Sequence, residues 1–407
     1  MFAPLKQPDF RRLFSAQLVS LFGTGLMTVA LALLAYRLAG EDAGAVLGTA
    51  LAIKMVAYVT VSPIANAIAA QFANKSVLVG LDLFRAGIAL FLPFVSEIWQ
   101  IYLLVFLLQA ASAAFTPVFQ AVIPDILTDE DEYTQALSLS RLAYDLESLA
   151  SPVIAAALLT FVSFHWLFAA TAVGFVVSAS FLAAGPIPDR LNGKDKPFRE
   201  RLTAGMNQFS RLSELKGLMA LNLVVSATGA MVIVNTVVII QTGYGAGETG
   251  VAIAYAFFGA GSMLAALILP KLLPLSGNRT VMVAGASIMT VSLVAAAIVL
   301  HQQAPLATLL VIWSVAGLGY SAVLTPVGRL LTALSPPEKR PALFAAQFAL
   351  SHACWLITYP LAGWGGAMTG MVAIASVLAA IAFSGTLICL WLWPAGSDET
   401  FRPGADP

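Results

Sequence analysis

Charge is scarce in this chain. Asp, Glu, Lys and Arg make up 10% of its 407 residues, and hydrophobic types make up 59%. Soluble domains carry about 25% charged residues, so a soluble enzyme is excluded. Cysteine is scarcer still. Cys354 and Cys389 both fall in apolar stretches, and no disulfide framework follows. No Walker-type phosphate loop, Ser-His-Asp set or metalloprotease motif is present. The chain therefore reads as no enzyme, with no cofactor and no resident metal. Its start also lacks the short cleavable apolar segment of a signal peptide. The first apolar run is too long for one and is expected to be retained.

What the chain has is apolar length. Twelve stretches lie near 15–37, 46–70, 77–96, 99–121, 142–163, 166–185, 218–241, 247–270, 280–300, 306–330, 343–368 and 370–393. A helix needs about 20 apolar residues to cross the roughly 30 Å hydrocarbon core. Eighteen of the 21 basic residues lie in, or within a turn of, every second gap between these stretches. Arg37 lies on the other side, and Lys54 and Arg85 lie inside stretches. This is the positive-inside pattern. It predicts a multi-pass protein of the bacterial inner membrane, with both termini cytoplasmic and Gly40–Gly44 periplasmic. Seven basic residues, Arg190, Lys194, Lys196, Arg199, Arg201, Arg211 and Lys216, crowd the central gap. Topology and anionic lipid explain them without nucleic acid. The acidic run Asp129–Glu132 falls on the same side, where acidic residues weigh little in orientation.

A polar segment, 186–216, separates six stretches from six and is interrupted by Pro188, Gly193 and Pro197. The expected organisation is a six-helix bundle over 1–185, a cytoplasmic linker loop over 186–216, a second bundle over 217–393 and a cytoplasmic tail over 394–407. The halves are weakly self-similar. Thr116-Pro117-Val118 recurs as Thr325-Pro326-Val327, and Pro152 as Pro360, at offsets of 209 and 208 residues. The fold class is thus an all-α membrane protein of twelve transmembrane helices in two pseudo-symmetric bundles. Such halves fit a transporter that rocks about a central cavity.

Four segments carry a family resemblance: PDFRRLFSAQLVSLFGTGL (Pro8–Leu26), SPIANAIAAQFANKSVLVGLDLFRA (Ser62–Ala86), AAFTPVFQAVIPDIL (Ala113–Leu127) and SRLAYDLESLASPVIAAALL (Ser140–Leu159). They resemble the first helix, the second-to-third loop, the end of the fourth helix and the fifth helix of the major facilitator superfamily. Within it, the likeness is to proteobacterial exporters of the macrolide-efflux and enterobactin-efflux group. The resemblance extends over nearly the whole chain and implies alternating access, drug:proton antiport and a monomer. Two departures stand out. The family's second-to-third loop carries a Gly, then Asp-Arg, then basic residues; here those positions read Asn66, Ala70-Gln71 and Asn74-Lys75. The family's fifth helix carries Gly-Pro where this chain has Ser151-Pro152. The Gly for close packing and the Asp of a charged latch are both missing, and Lys75 remains.

An ionisable side chain inside a membrane normally faces a cavity or a partner. Lys54 is about 12 Å inside the outer end of the second stretch at 1.5 Å per residue. It either snorkels to the headgroups or contacts an anionic group in the cavity, and the lack of an acidic neighbour favours the second. Arg141 and Asp145, four apart, share a helix face and suit an ion pair. Glu147 lies about 200° around from Asp145 and has no local counter-charge. It is the first candidate for proton exchange, ahead of His352 and Asp145. His352 reads either as a neutral ring bonded to a helix carbonyl or as a proton relay. Asp82 and Arg85, with Lys75, suit a gate at the cytoplasmic rim. Arg329 is a gate residue or a headgroup anchor. Pro117, Pro152, Pro326 and Pro360 are candidate kinks. Lys54, Gln109, Asn235, Trp355 and Tyr359 are candidate substrate contacts in walls expected to be mostly apolar, with Gln17 and Asn222 nearby.

The sequence thus predicts a proton-coupled exporter of a small amphipathic organic molecule, such as a drug, siderophore or metabolite. Its partners are that substrate, protons and the lipid bilayer. Two alternatives stand beside it. One is efflux of a divalent metal cation (nickel, cobalt or iron) through His352, Asp145 or Glu147, with Cys354. The other is a non-transporting membrane sensor or scaffold.

Overall fold

The computed structural model describes residues 2–39, 43–188 and 198–395. Most of the expected Gly40–Gly44 loop, part of the 186–216 linker and nearly all of the tail lie outside the described residues.

Six helices form the first half: α1 Pro8–Ala39, α2 Ala43–Ala69, α3 Asn74–Phe91, α4 Ile98–Ile126, α5 Glu130–Leu159 and α6 His165–Ala184. Local chemistry sets their starts. Pro8 opens α1, where its missing N–H removes no helical bond. Glu97 and Gln100 form a capping box on α4. Asp129 caps α5 by accepting from the Glu132 amide at 2.9 Å. Glu130, Asp131 and Glu132 then fill the first turn, where the helix dipole favours negative charge. The acidic run is a helix start.

The second half begins with α7 Phe198–Arg211 and α8 Ser213–Ala230. The chain of α8 continues through π-helical Met231–Asn235, α9 Thr236–Val238 and π-helical Ile239–Gly243. Then come α10 Gly247–His301, α11 Leu306–Leu324, α12 Val327–Ala333, α13 Arg340–Thr369 and α14 Met371–Leu392.

At 55 residues, α10 would measure about 80 Å if straight. On a straight rod Gly261 and Gly285 would be about 36 Å apart. Yet Gly261 packs on Ser314 and Gly285 on Gly319, positions about 8 Å apart along α11. The rod therefore folds back at Gly277, whose φ of 73° and ψ of 162° suit glycine alone. Both limbs lie on α11, and small residues let the backbones touch. Among the described residues, ten helical stretches are long and apolar enough to cross a membrane. Counting the limbs of α10 separately, and adding α5 with its charged residues, gives twelve crossings in two bundles of six.

The linker holds a difference from the sequence reading. Where a polar loop is expected, α7 is amphipathic. Phe209 is buried, Met206 packs beside it, and Gln208 donates to the Leu334 carbonyl at 2.9 Å. Gly205 lies so close to the Ala342 carbonyl that a Cβ would overlap it. An apolar stripe this narrow does not register in mean hydropathy.

The ends that carry Lys6, Arg11, Arg12, Lys75, Lys339 and Arg340 share one side, here called the basic face. Arg37, the exception, lies at the opposite face and donates to His165 Nε2 at 2.8 Å. Pro117 lies within α4 and Pro360 within α13, and Pro326 separates α11 from α12. Pro152 falls within α5. The halves meet where α2 packs on α13 and α5 on α10.

A candidate transport cavity between the halves

A cavity of about 530 Å³ opens between the two bundles. Its walls come from α1 to α5 of the first half and from α8, α11, α12 and α13 of the second. Lys54, Glu147, His352 and Trp355 all line it. Lys54 is 11 residues from the start of α2, Glu147 is 12 from the end of α5, and His352 is 12 from the start of α13. At 1.5 Å per residue each lies about 16–18 Å from a helix end, near mid-membrane depth.

Lys54 is half-buried, and its Nζ sits 5.5 Å from the centroid of the Tyr58 ring, within cation–π range. It is also close enough to Glu147 and to His352 to interact with each electrostatically. Tyr58 organises this wall. Its hydroxyl donates to Gln109 Oε1 at 2.8 Å, and its ring meets His352 edge-on at 4.6 Å. His352 Nδ1 is 2.7 Å from the Phe348 carbonyl. A carbonyl oxygen only accepts, so Nδ1 is the donor in this contact. The bonded-ring reading of His352 thus coexists with a place on the cavity wall.

Glu147 faces the cavity from the other side. Ser151 Oγ donates to its Oε1 at 3.4 Å. Gly25 of α1 leaves the room for this pair, since a Cβ there would overlap both side chains. Arg141 and Asp145 form an ion pair on α5, as their spacing suggests. Arg141 also donates to Ser262 of α10 at 3.1 Å and lies 5.2 Å from the Tyr320 ring, so it bridges the halves. Among the charged groups that line the cavity, Arg85 and Arg141 are paired. Lys54 and Glu147 form no ion pair among the described residues.

The other predicted contacts are less direct. Gln109 is buried behind Tyr58. The Tyr359 ring meets Trp355 at 4.8 Å, tilted by 42°. Asn235 is buried in a π-helical turn, 3.5 Å from Met231 Sδ, against Gly366. The walls are more polar than the sequence suggests: Ser20, Thr24, Ser112, Thr116, Gln120, Ser140 and Ser351 all line the cavity. Thr24, Ser112 and Thr116 donate to carbonyls one turn back, which lets them sit in apolar helices.

On the basic face, several contacts join the two halves. Arg329 pairs with Glu130 and donates to Thr134 at 3.1 Å. Arg340 pairs with Asp125 at 3.1 Å, and the Tyr133 and Thr332 hydroxyls meet at 3.2 Å. Asp82 and Arg85 instead pair within the first half. Asp82 accepts from Ser178 at 2.7 Å, and the Arg85 guanidinium lies over the Phe115 and Phe175 rings at 4.3 and 4.5 Å. Lys75 is near the start of α3 and half-buried.

The Major Facilitator Superfamily model matches residues 13–218 and again residues 218–406. This chain belongs to the major facilitator superfamily. It is a multi-pass membrane protein. Macrolide efflux protein A of Streptococcus pyogenes is 25% identical over 223 residues, 53% of this chain and 54% of that protein. The protein of the same name from Enterococcus faecalis is 26% identical over 175 residues, 41% of this chain and 53% of its own length. The chain spans about half the length of the curated relatives it matches. The human organic anion transporter MFSD10 superposes with a TM-score of 0.77 at 11% identity, over 94% of this chain and 99% of that one. A bacterial homologue of the iron transporter ferroportin, in an outward-facing state, superposes at 0.73 and 12% identity, over 94% and 99%. At these identities the likeness is one of superfamily fold.

Tyr58 and Gln347, both central to this geometry, escape sequence reading, and Arg340 reads only as one of the basic residues that set the topology. Gln347 exchanges two hydrogen bonds with Asn222, at 3.1 and 3.0 Å, across α8 and α13. An uncharged polar residue in an apolar run gives no signal of its own.

Proposed function

We propose that the protein is a proton-coupled exporter of a small amphipathic organic molecule in the bacterial inner membrane. It acts as a monomer, with residues 1–185 and 217–393 as the two moving bodies. The observation that carries this reading is the convergence of Lys54, Glu147 and His352, from three helices and both halves, on one cavity. Glu147 exchanges the proton, and Lys54 holds an anionic group of the cargo. With the basic face cytoplasmic, the cross-half contacts of Arg329 and Arg340 close the inner side. The cavity then belongs to the outward-facing arrangement.

The names of the macrolide-efflux relatives favour an organic cargo. Divalent-metal efflux has less support. Among the described residues, no three His, Cys, Asp or Glu side chains cluster to hold an ion. The test is overproduction in an efflux-deficient bacterium challenged with macrolides, siderophores and nickel salts. We expect export of, or resistance to, an organic compound, abolished by Glu147→Gln. Resistance to nickel alone would replace this reading with metal efflux.

A further inference from the structure

The charges of the cavity restrict the cargo and the sense of proton coupling together. Arg85 and Arg141 are neutralised by Asp82 and Asp145 on their own helices. That leaves one cation, Lys54, and one carboxyl group, Glu147, outside any ion pair and within electrostatic reach of each other among the described residues. The remaining titratable groups on the walls are His352, bonded through Nδ1, and the phenols of Tyr58, Tyr144 and Tyr320.

Cargo that enters the cavity displaces water from both groups. A singly anionic cargo satisfies Lys54 but sets a second negative charge near Glu147. That favours proton binding, so cargo and proton would travel together. A singly cationic cargo satisfies Glu147 and strips Lys54 of solvent without a partner, which is costly. A zwitterion satisfies both. Its cationic group and a proton exclude each other at Glu147, and mutual exclusion at one site is what exchange requires. By linkage, each ligand lowers the affinity for the other by the same factor.

We infer that the cargo is zwitterionic. Its anionic group binds Lys54, its cationic group displaces the proton of Glu147, and an apolar body lies along Trp355 and Phe348. The inference rests on the proton-coupled export proposed above. The proton step balances: the Glu147 acid O–H breaks, the proton leaves through the cavity to water, and the carboxylate pairs with the cargo cation. No oxidant or further reactant is involved.

The test uses the purified full chain and three probes with one aromatic body. They are the dipeptide phenylalanyl-phenylalanine, its C-terminal amide, which is a cation, and its N-acetyl form, which is an anion. Titration calorimetry in two buffers of different protonation enthalpy reads affinity and protons exchanged. The free dipeptide should bind at least about tenfold tighter than either relative, one lost charge-assisted contact being about 1.4 kcal/mol or more. It should release protons from the wild type and none attributable to the site from Glu147→Gln. Lys54→Gln should bring the dipeptide down to the level of its amide while proton release persists. A dipeptide that binds no better than its singly charged relatives overturns the inference. If the amide still releases the Glu147 proton in that case, the exporter reading stands alone. If no probe exchanges a proton with the wild type, the proton-coupled reading falls as well.

Discussion

Arg340, the first residue of α13, reaches across the molecule to Asp125 near the end of α4, with Nη1 3.1 Å from Oδ1. The two are 215 residues apart in sequence and belong to different halves. The pair sits on the basic face beside Arg329, Glu130 and the Tyr133–Thr332 contact. This chain lacks the Asp-Arg of its family's second-to-third loop, and these cross-half contacts offer another way to hold that side shut.

If they are the gate, Arg340→Gln should favour opening on the basic face. The readout is thiol labelling at Thr332→Cys in a Cys354→Ser, Cys389→Ser background. Loss of a charged hydrogen bond of about 1.5–3 kcal/mol would shift the equilibrium about ten- to 150-fold. An unchanged labelling rate would remove Arg340 from the gate.

Asp145 should behave differently. It is buried against Arg141, so Asp145→Asn should lower the melting temperature in detergent by weakening a buried pair. The cost is about 3–5 kcal/mol where one partner of such a pair is removed. The double replacement Arg141→Met, Asp145→Leu should recover much of that loss. A single variant as stable as wild type would mean that the pair contributes little.

Trp355 depends on a glycine. A Cβ at Gly229 would overlap the far edge of the indole ring. Gly229→Ala should therefore push Trp355 into the cavity and reduce binding of bulky cargo by about tenfold, a shift of about 1.4 kcal/mol. Trp355→Ala added to it should relieve the clash. Equal affinity in wild type and Gly229→Ala would show that the ring has another place to go.

Much of the fold was legible in the sequence because the bilayer imposes it. Long apolar runs with basic gaps on alternate sides specify crossings. The stretches 247–270 and 280–300 read correctly as two spans, although the helix of α10 runs on through their junction and folds at Gly277. The α7 helix was illegible because its apolar stripe is narrow and its composition polar. The positions of Lys54, Glu147 and His352 stood out because charge within an apolar run is costly. Their convergence on one cavity did not follow from sequence, since residues 54, 147 and 352 are brought together by packing between halves. The hydroxyls of Ser112 and Thr116 were invisible for the opposite reason, as they bond their own helix and disturb nothing.

Lys54 separates two behaviours. Held 5.5 Å from the Tyr58 ring at mid-depth, it lines the cavity. Lys54→Gln and Lys54→Leu should weaken anionic or zwitterionic cargo about ten- to 150-fold, the worth of one charge-assisted contact. Lys54→Arg should keep part of the affinity, because the charge survives with a different geometry. Equal affinity for wild type and Lys54→Gln would return the residue to an anchoring role.

The central claim is that Glu147 exchanges the proton that drives transport. Proteoliposomes holding a pH-sensitive dye test it most directly, with phenylalanyl-phenylalanine added outside and its labelled form inside. Wild type should move protons as the dipeptide crosses. Glu147→Gln should still exchange labelled for unlabelled dipeptide, more weakly for the lost contact to the cargo cation, yet move no protons, because the substitution removes the titration. Proton movement by Glu147→Gln at the wild-type rate would contradict the account.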